Sequence, residues 1–190
     1  MKERINKVID QIYPHLSLKS RKEIIDICKE SKVSENSLIV ENGKRNNSEY
    51  FLLDGIVRSC LMNQNGELVT LLFFEESSIL SPHVTRTSNS QSLFSLEAIT
   101  ECTLAEIDAS KFETLIEVNL EIREFANTIL RNELLQKINK EIRLISWTGK
   151  ERLEQFRRDY KMLENLVPHS MIATYLGITN VSLSRLRKNS

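Results

Sequence analysis

Apolar positions along the chain change period twice. From about Lys2 to Glu30 they recur at helical spacing, through Ile5, Val8, Ile9 and Ile12, then Ile24, Ile25 and Cys28. Pro14 divides this stretch, and Ser17 or Ser20 can cap the second helix. From about Ser37 to Ile107 the pattern becomes one of short strands rich in β-branched and aromatic residues: Leu38–Val40, Tyr50–Leu53, Ile56–Met62, Leu68–Phe74, Phe94–Ile99 and Cys102–Ile107. Asp54-Gly55 and Asn65-Gly66 are pairs that tight hairpins with positive φ select. A polar stretch from Ser81 to Ser92 interrupts the strands. Many short antiparallel strands at this spacing predict a small barrel or jelly roll.

Helical spacing returns at Ser110, which can cap a short helix through Ile116. A long amphipathic helix is expected from about Leu120 to Trp147. Its stripe of Ile122, Phe125, Ile129, Asn132, Leu135, Ile138, Ile142 and Ile145 advances by threes and fours. The length of the stripe suits pairing with a partner helix, and Asn132 on the seam would fix the register. Packing inside one chain is the competing reading. Thr148-Gly-Lys-Glu151 has capping-box spacing, so a new helix and a new domain start there.

The C-terminal stretch from Val167 to Lys188 has the pattern of a helix-turn-helix. Pro168 suits a helix start, and Ile172, Tyr175 and Leu176 repeat at helical spacing. Ala173 is small where a second helix packs closely. Gly177 supplies the left-handed residue that ends the first helix, and Thr179 can cap the second. Leu183 and Leu186 then face inward, leaving Asn180, Val181, Ser182, Ser184, Arg185 and Lys188 outward. That surface lacks acid and is rich in groups that contact phosphates and base edges. A plain helical hairpin would share the periodicity, but not the register of small residue, glycine and inner leucines.

Composition narrows the classes. With 41% hydrophobic residues, 5 Gly and 3 Pro, the chain reads as an ordinary folded protein. No apolar run reaches membrane-span length and the N-terminus is not that of a signal peptide, so a cytoplasmic location without a membrane partner is expected. The net charge of zero conceals an asymmetry: from Lys150 onward eight basic residues face four acidic ones. A basic end on an otherwise acidic chain is what one DNA-facing module produces. Cys28, Cys60 and Cys102 are far apart, as are His15, His83 and His169, so no metal site is expected. No nucleophile–base pair and no phosphate-cradling glycine loop is evident, and the expectation is a non-enzyme.

Taken together, the fold class is α+β: an N-terminal antiparallel, jelly-roll-like β-roll with flanking helices over 1–118, a long dimerisation helix over 119–147 and a helical helix-turn-helix domain over 148–190. This order resembles the Crp/Fnr family of transcription regulators. The resemblance rests on Gly43, Tyr50–Arg58, Asn65-Gly66-Glu67, Ala105–Asp108 and the helix-turn-helix. It implies a cyclic-nucleotide-binding-type β-roll, a homodimer joined through Phe125, Ile129, Asn132, Ile138 and Ile142, and regulation of transcription. Double-stranded DNA, a second copy of the chain and RNA polymerase are the partners it implies.

The family's ligand motif is missing. Members that bind cyclic AMP carry a glutamate for the ribose hydroxyl and an arginine for the cyclic phosphate. Those positions fall here on Ser81-Pro82 and Ser92-Leu93. Without a guanidinium, a buried phosphate has no cationic partner, so cyclic-nucleotide control is not expected and no cofactor is assigned. Arg86 lies nearby in sequence, but nothing places it in the pocket. The cysteines do not fit an iron–sulfur sensor, and His83 alone is a poor haem ligand. At the other end, the resemblance assigns base reading to Asn180, Val181 and Arg185. Ser170, Thr179, Ser182 and Lys188 are the expected phosphate anchors. With two residues after Lys188, no β-wing is expected beyond the recognition helix. The alternative is a small-molecule sensor or interaction module with a roll pocket and no sequence-specific DNA binding.

Overall fold

The computed structural model describes residues 1–80 and 90–188. The chain divides into two compact units, Met1–Ser59 with Phe73–Glu133, and Cys60–Leu72 with Leu134–Ser190. This division cuts the long helix in the middle, whereas the sequence boundaries at 118 and 147 fall at its two ends.

In the first unit, helix α1 (Lys2–Ile12) buries Ile5, Val8 and Ile9, one face of a helix by spacing. Helix α2 (Leu18–Asp26) is capped by Ser17, whose hydroxyl accepts the Ser20 N–H at 3.2 Å. The helical reading through Cys28 is overturned, because Cys28–Val33 forms strand β1. Its residues pair antiparallel with the last strand of the roll, Cys28 opposite Ile107 and Val33 opposite Cys102. Partners about seventy to eighty positions away in the chain leave no local signal.

The remaining strands are β2 (Leu38–Val40), β3 (Ser48–Asp54), β4 (Val57–Met62), β5 (Leu68–Phe74), β6 (Ser78–Leu80), β7 (Ser95–Ala98) and β8 (Cys102–Asp108). They form two four-stranded sheets in the orders β1-β8-β3-β6 and β2-β7-β4-β5. Between the sheets lie Val40, Tyr50, Leu52, Val57, Leu80, Leu96, Ala98 and Leu104. Phe51, Leu53, Ala105 and Ile107, at the alternate positions of β3 and β8, pack instead with Ile5, Ile9, Ile24, Ile122 and Phe125 from the helices. The first sheet is thus covered on both faces, which is why Tyr50–Leu53 is an unbroken apolar run.

Two turns show what a dipeptide does and does not specify. Asn65-Gly66 closes the β4–β5 hairpin, with Gly66 at φ +77° and its N–H donating to the Asn63 carbonyl at 3.1 Å. Asp54-Gly55, expected as a second hairpin, is a corner instead, since β3 and β4 lie in different sheets. Gly55 has φ +98°, and a Cβ there would stand 2.6 Å from both the Cys102 Sγ and the Glu101 carbonyl. Glycine is needed for conformation and for space.

Helix α3 (Ala109–Val118) is capped by Asp108 rather than Ser110, the Asp108 carboxylate accepting the Lys111 N–H at 3.1 Å. That contact and the Ser110 hydroxyl hold the Asp108 carboxyl below its usual range, the Ser110 bond contributing most. Helix α4 (Leu120–Ser146) is continuous. Its apolar stripe divides along its length: Ile122, Phe125 and Ile129 are buried in the core of the first unit, whereas Leu134, Leu135, Ile138, Ile142 and Ile145 are exposed.

The second unit holds α5 (Gly149–Asp159), α6 (Leu163–Leu166), α7 (His169–Leu176) and α8 (Asn180–Lys188). Thr148 and Glu151 form the expected capping box at the start of α5. The short helix α6 carries no separate periodic signal and is not foreshadowed in the pattern. Leu153, Phe156, Leu163, Ile172, Ala173, Leu176 and Leu183 are among the buried residues of this unit. Among the described residues, no helix is long and apolar enough to cross a membrane.

Candidate nucleic-acid interface

Helices α7 and α8 are joined by a turn whose geometry follows from two residues. Gly177 adopts φ +64°, and its N–H returns to the Thr174 carbonyl at 3.1 Å while Ile178 bonds the Ala173 carbonyl at 3.0 Å. A Cβ at Gly177 would also press on Leu144 at 3.1 Å. Thr179 then caps α8, its hydroxyl accepting the Ser182 N–H at 3.1 Å and lying 2.9 Å from the Ser182 hydroxyl. Ile172, Ala173, Tyr175, Leu176 and Leu183 turn into the unit. Asn180, Val181, Ser184, Arg185 and Lys188 are exposed along α8, with Thr179 and Ser170 exposed beside them.

The basic residues of α8 separate by role. Arg187 donates to Glu164 at 2.8 Å and its Nη1 lies 3.0 Å from His169 Nδ1, so its charge is engaged within the unit. Glu164 also receives a forked pair of bonds from Arg157, at 2.7 and 3.0 Å. Those bonds, chiefly the one from Arg157, hold the Glu164 carboxyl below its usual range. One carboxylate thereby ties α5, α6 and α8 together. Arg185 and Lys188 make no ion pair with the described residues and present their charges to solvent. The pattern had separated Arg185 from Arg187, but not the Glu164 hub, because its three contributors lie on separate helices.

At the roll end, Ser81, Pro82 and Arg86 lie outside the described residues. Ser92 is 2% exposed. Its hydroxyl donates to the Phe94 carbonyl at 2.6 Å, and its backbone bonds Lys44 and Gly43 across the strand ends. Leu93 is 56% exposed. Among the described residues of the roll, Arg58 on β4 is buried and bonds Glu97 on β7 through Nε at 2.7 Å and Nη2 at 2.6 Å. Its charge is compensated inside the chain rather than left for an incoming phosphate.

Of the dimer-seam residues, Phe125 and Ile129 serve the core of the first unit. Asn132, Ile138 and Ile142 are exposed. The correction has a simple cause: the first turns of α4 cover the apolar face of the first sheet, and only beyond Ile129 does the stripe reach solvent. Cys28 and Cys102 are free thiols; burial pushes the Cys28 thiol up to about 12. Among the described residues, no group of three histidine, cysteine, aspartate or glutamate side chains is placed to hold a metal ion.

Comparison with known proteins places this architecture. Residues 30–119 match the cyclic nucleotide-binding domain family. No curated protein matches the chain in sequence. Among solved structures, FixK2 from Bradyrhizobium japonicum aligns with a TM-score of 0.73 at 18% identity, over 86% of this chain and 84% of that one. The c-di-GMP-responsive global regulator CLP of Xanthomonas campestris aligns with a TM-score of 0.72 at 15% identity, covering 91% of each chain. A transcriptional regulator of the Crp/Fnr family from Eubacterium rectale gives 0.73 at 15% identity, over 94% of this chain and 85% of that one. The fold of this chain is that of Crp/Fnr-type regulators.

Proposed function

We propose, from this fold and the surface of α8, that the chain is a sequence-specific DNA-binding transcription regulator acting as a homodimer on a palindromic operator. The observation that carries the reading is the exposed face of α8. It presents Asn180, Val181, Ser184, Arg185 and Lys188 without an acidic residue. Arg185 has the fork that reads guanine O6 and N7, Asn180 the amide that reads adenine, and Val181 the apolar surface that meets a thymine methyl. Ser170, Thr179, Ser182 and Lys188 supply phosphate contacts that set register. The exposed apolar length of α4 supports pairing with a second copy, which would put two recognition helices about one helical turn apart on the duplex.

Cyclic AMP is not the effector in this reading. Ser92 replaces the phosphate-binding arginine and has its hydroxyl satisfied by the Phe94 carbonyl.

Selection of genomic fragments by the purified protein at moderate salt tests the proposal. Enrichment of a palindrome with half-sites one turn apart is expected. Recovery of fragments without any common palindrome would leave the sensor or interaction-module alternative standing.

A further inference from the structure

A half-buried lysine joins three elements of the second unit. Lys140, on α4, donates from Nζ to the Leu71 carbonyl on β5. The same Nζ lies 4.1 Å from the centre of the Tyr175 ring on α7. Beside it, the Thr70 N–H donates to the Thr174 hydroxyl at 3.2 Å, and that hydroxyl donates to the Met171 carbonyl at 3.0 Å. Tyr175 is itself set against Phe156 and Tyr160, with ring centres 5.5 and 6.0 Å away. The first helix of the helix-turn-helix is therefore held to the hairpin strand by one charged and one neutral contact.

This arrangement is not what an idle lysine adopts. Lys137, one turn earlier on the same helix, is exposed. A flexible lysine ordinarily extends its ammonium to water. Lys140 is half-buried and gives up part of that hydration, and burial lowers its pKa to about 8. The carbonyl of Leu71 and the face of Tyr175 are what it receives in exchange. Arg143 and Arg152 also border this position, and Arg143 is itself paired with Asp159 at 2.7 Å.

We propose that Lys140 is a positioning residue that fastens α7 to the β4–β5 hairpin, so that strand β5 sets the orientation of the recognition helix. The inference rests on the DNA-binding reading and adds its coupling element. Thr70 and Leu71 supply the hairpin side; Thr174 and Tyr175, on consecutive positions of α7, supply the other.

The test uses the full chain with K140M, which keeps an unbranched apolar stem but no ammonium, and K140R. Exchange of the Thr70 amide with deuterium reads the attachment, and affinity for the selected duplex across a salt series reads its consequence. In K140M with unchanged far-UV dichroism, the Thr70 amide should exchange about tenfold faster and specific affinity should fall about tenfold. The slope of log affinity against log salt should stay unchanged, because Lys140 neutralises no phosphate, and K140R should restore part of both effects. Thr174→Val, which removes only the neutral contact, should accelerate Thr70 exchange by itself and serves if K140M does not fold. Unchanged exchange in the folded variants overturns the attachment. Faster exchange with unaltered affinity, or a slope reduced by about 0.9, overturns the positioning role. If the wild-type chain selects no duplex, the function reading fails separately, and the exchange measurement still decides the attachment.

Discussion

Arg185 and Arg187 are separated by one residue on α8 and have different work. Arg187 is engaged by Glu164 and His169, so its removal would loosen the unit; Arg185 stands free of the described residues on the exposed face. Arg185→Ala should therefore weaken binding by about 1–3 kcal/mol at operators carrying guanine at one position and relax specificity there. Affinities over a panel of single-base operator variants decide it, since equal loss on every sequence would assign Arg185 to a phosphate. Gly55 is the other residue where a single atom matters. Gly55→Ala should lower stability to urea by more than about 2 kcal/mol, because a positive φ and two 2.6 Å clashes act together. A loss below about 1 kcal/mol would mean that the Glu101–Cys102 backbone gives way. The need for glycine at Gly55 and Gly177 was legible in sequence. The neighbour that forbids a Cβ, Cys102 in one case and Leu144 in the other, was not, because it arrives from a distant segment.

At the level of elements, α4 is the instructive case. A uniform stripe of apolar residues at threes and fours reads the same whether it meets its own chain or another. Here the half ending at Ile129 is buried and the half from Leu134 to Ile145 is exposed. In the proposed homodimer, Ile138→Asp with Ile142→Asp should then leave a folded monomer, followed by light scattering and thermal unfolding. Phe125→Asp should instead unfold the first unit, since it places a charge at a fully buried core position. A double variant that remains dimeric would move the interface elsewhere. Caps show the local side of the same problem. The Thr148–Glu151 box and the Thr179 cap were legible because both partners lie within one helical turn. The cap of α3 passed from Ser110 to Asp108 because two polar residues on either side of Ala109 compete and the strand end decides between them.

Over the whole molecule, the exposed face of α8 carries Asn180, Val181, Arg185 and Lys188, while Ser92 in the roll is buried and bonded to its own chain. A buried arginine exists in the roll, but Glu97 holds it. Calorimetry of the full chain with cyclic AMP and cyclic GMP should accordingly give no binding heat up to about millimolar ligand, where transferred affinity is weaker than roughly 4 kcal/mol. Micromolar binding of either would overturn the reading of Ser92. The amino-acid sequence alone determined the succession of helices, strands and helices, the hairpin at Asn65-Gly66 and the turn between α7 and α8. Periodicity and capping act over a few residues, and so they are written locally. Only the tertiary structure decided that Asp54-Gly55 turns between two sheets, that Cys28 begins a strand, and that α4 divides its apolar stripe between a core and solvent. It also decided where the charges of Arg58, Glu164 and Lys140 find partners. Each of those outcomes depends on groups far apart in the chain, whose meeting no local pattern encodes.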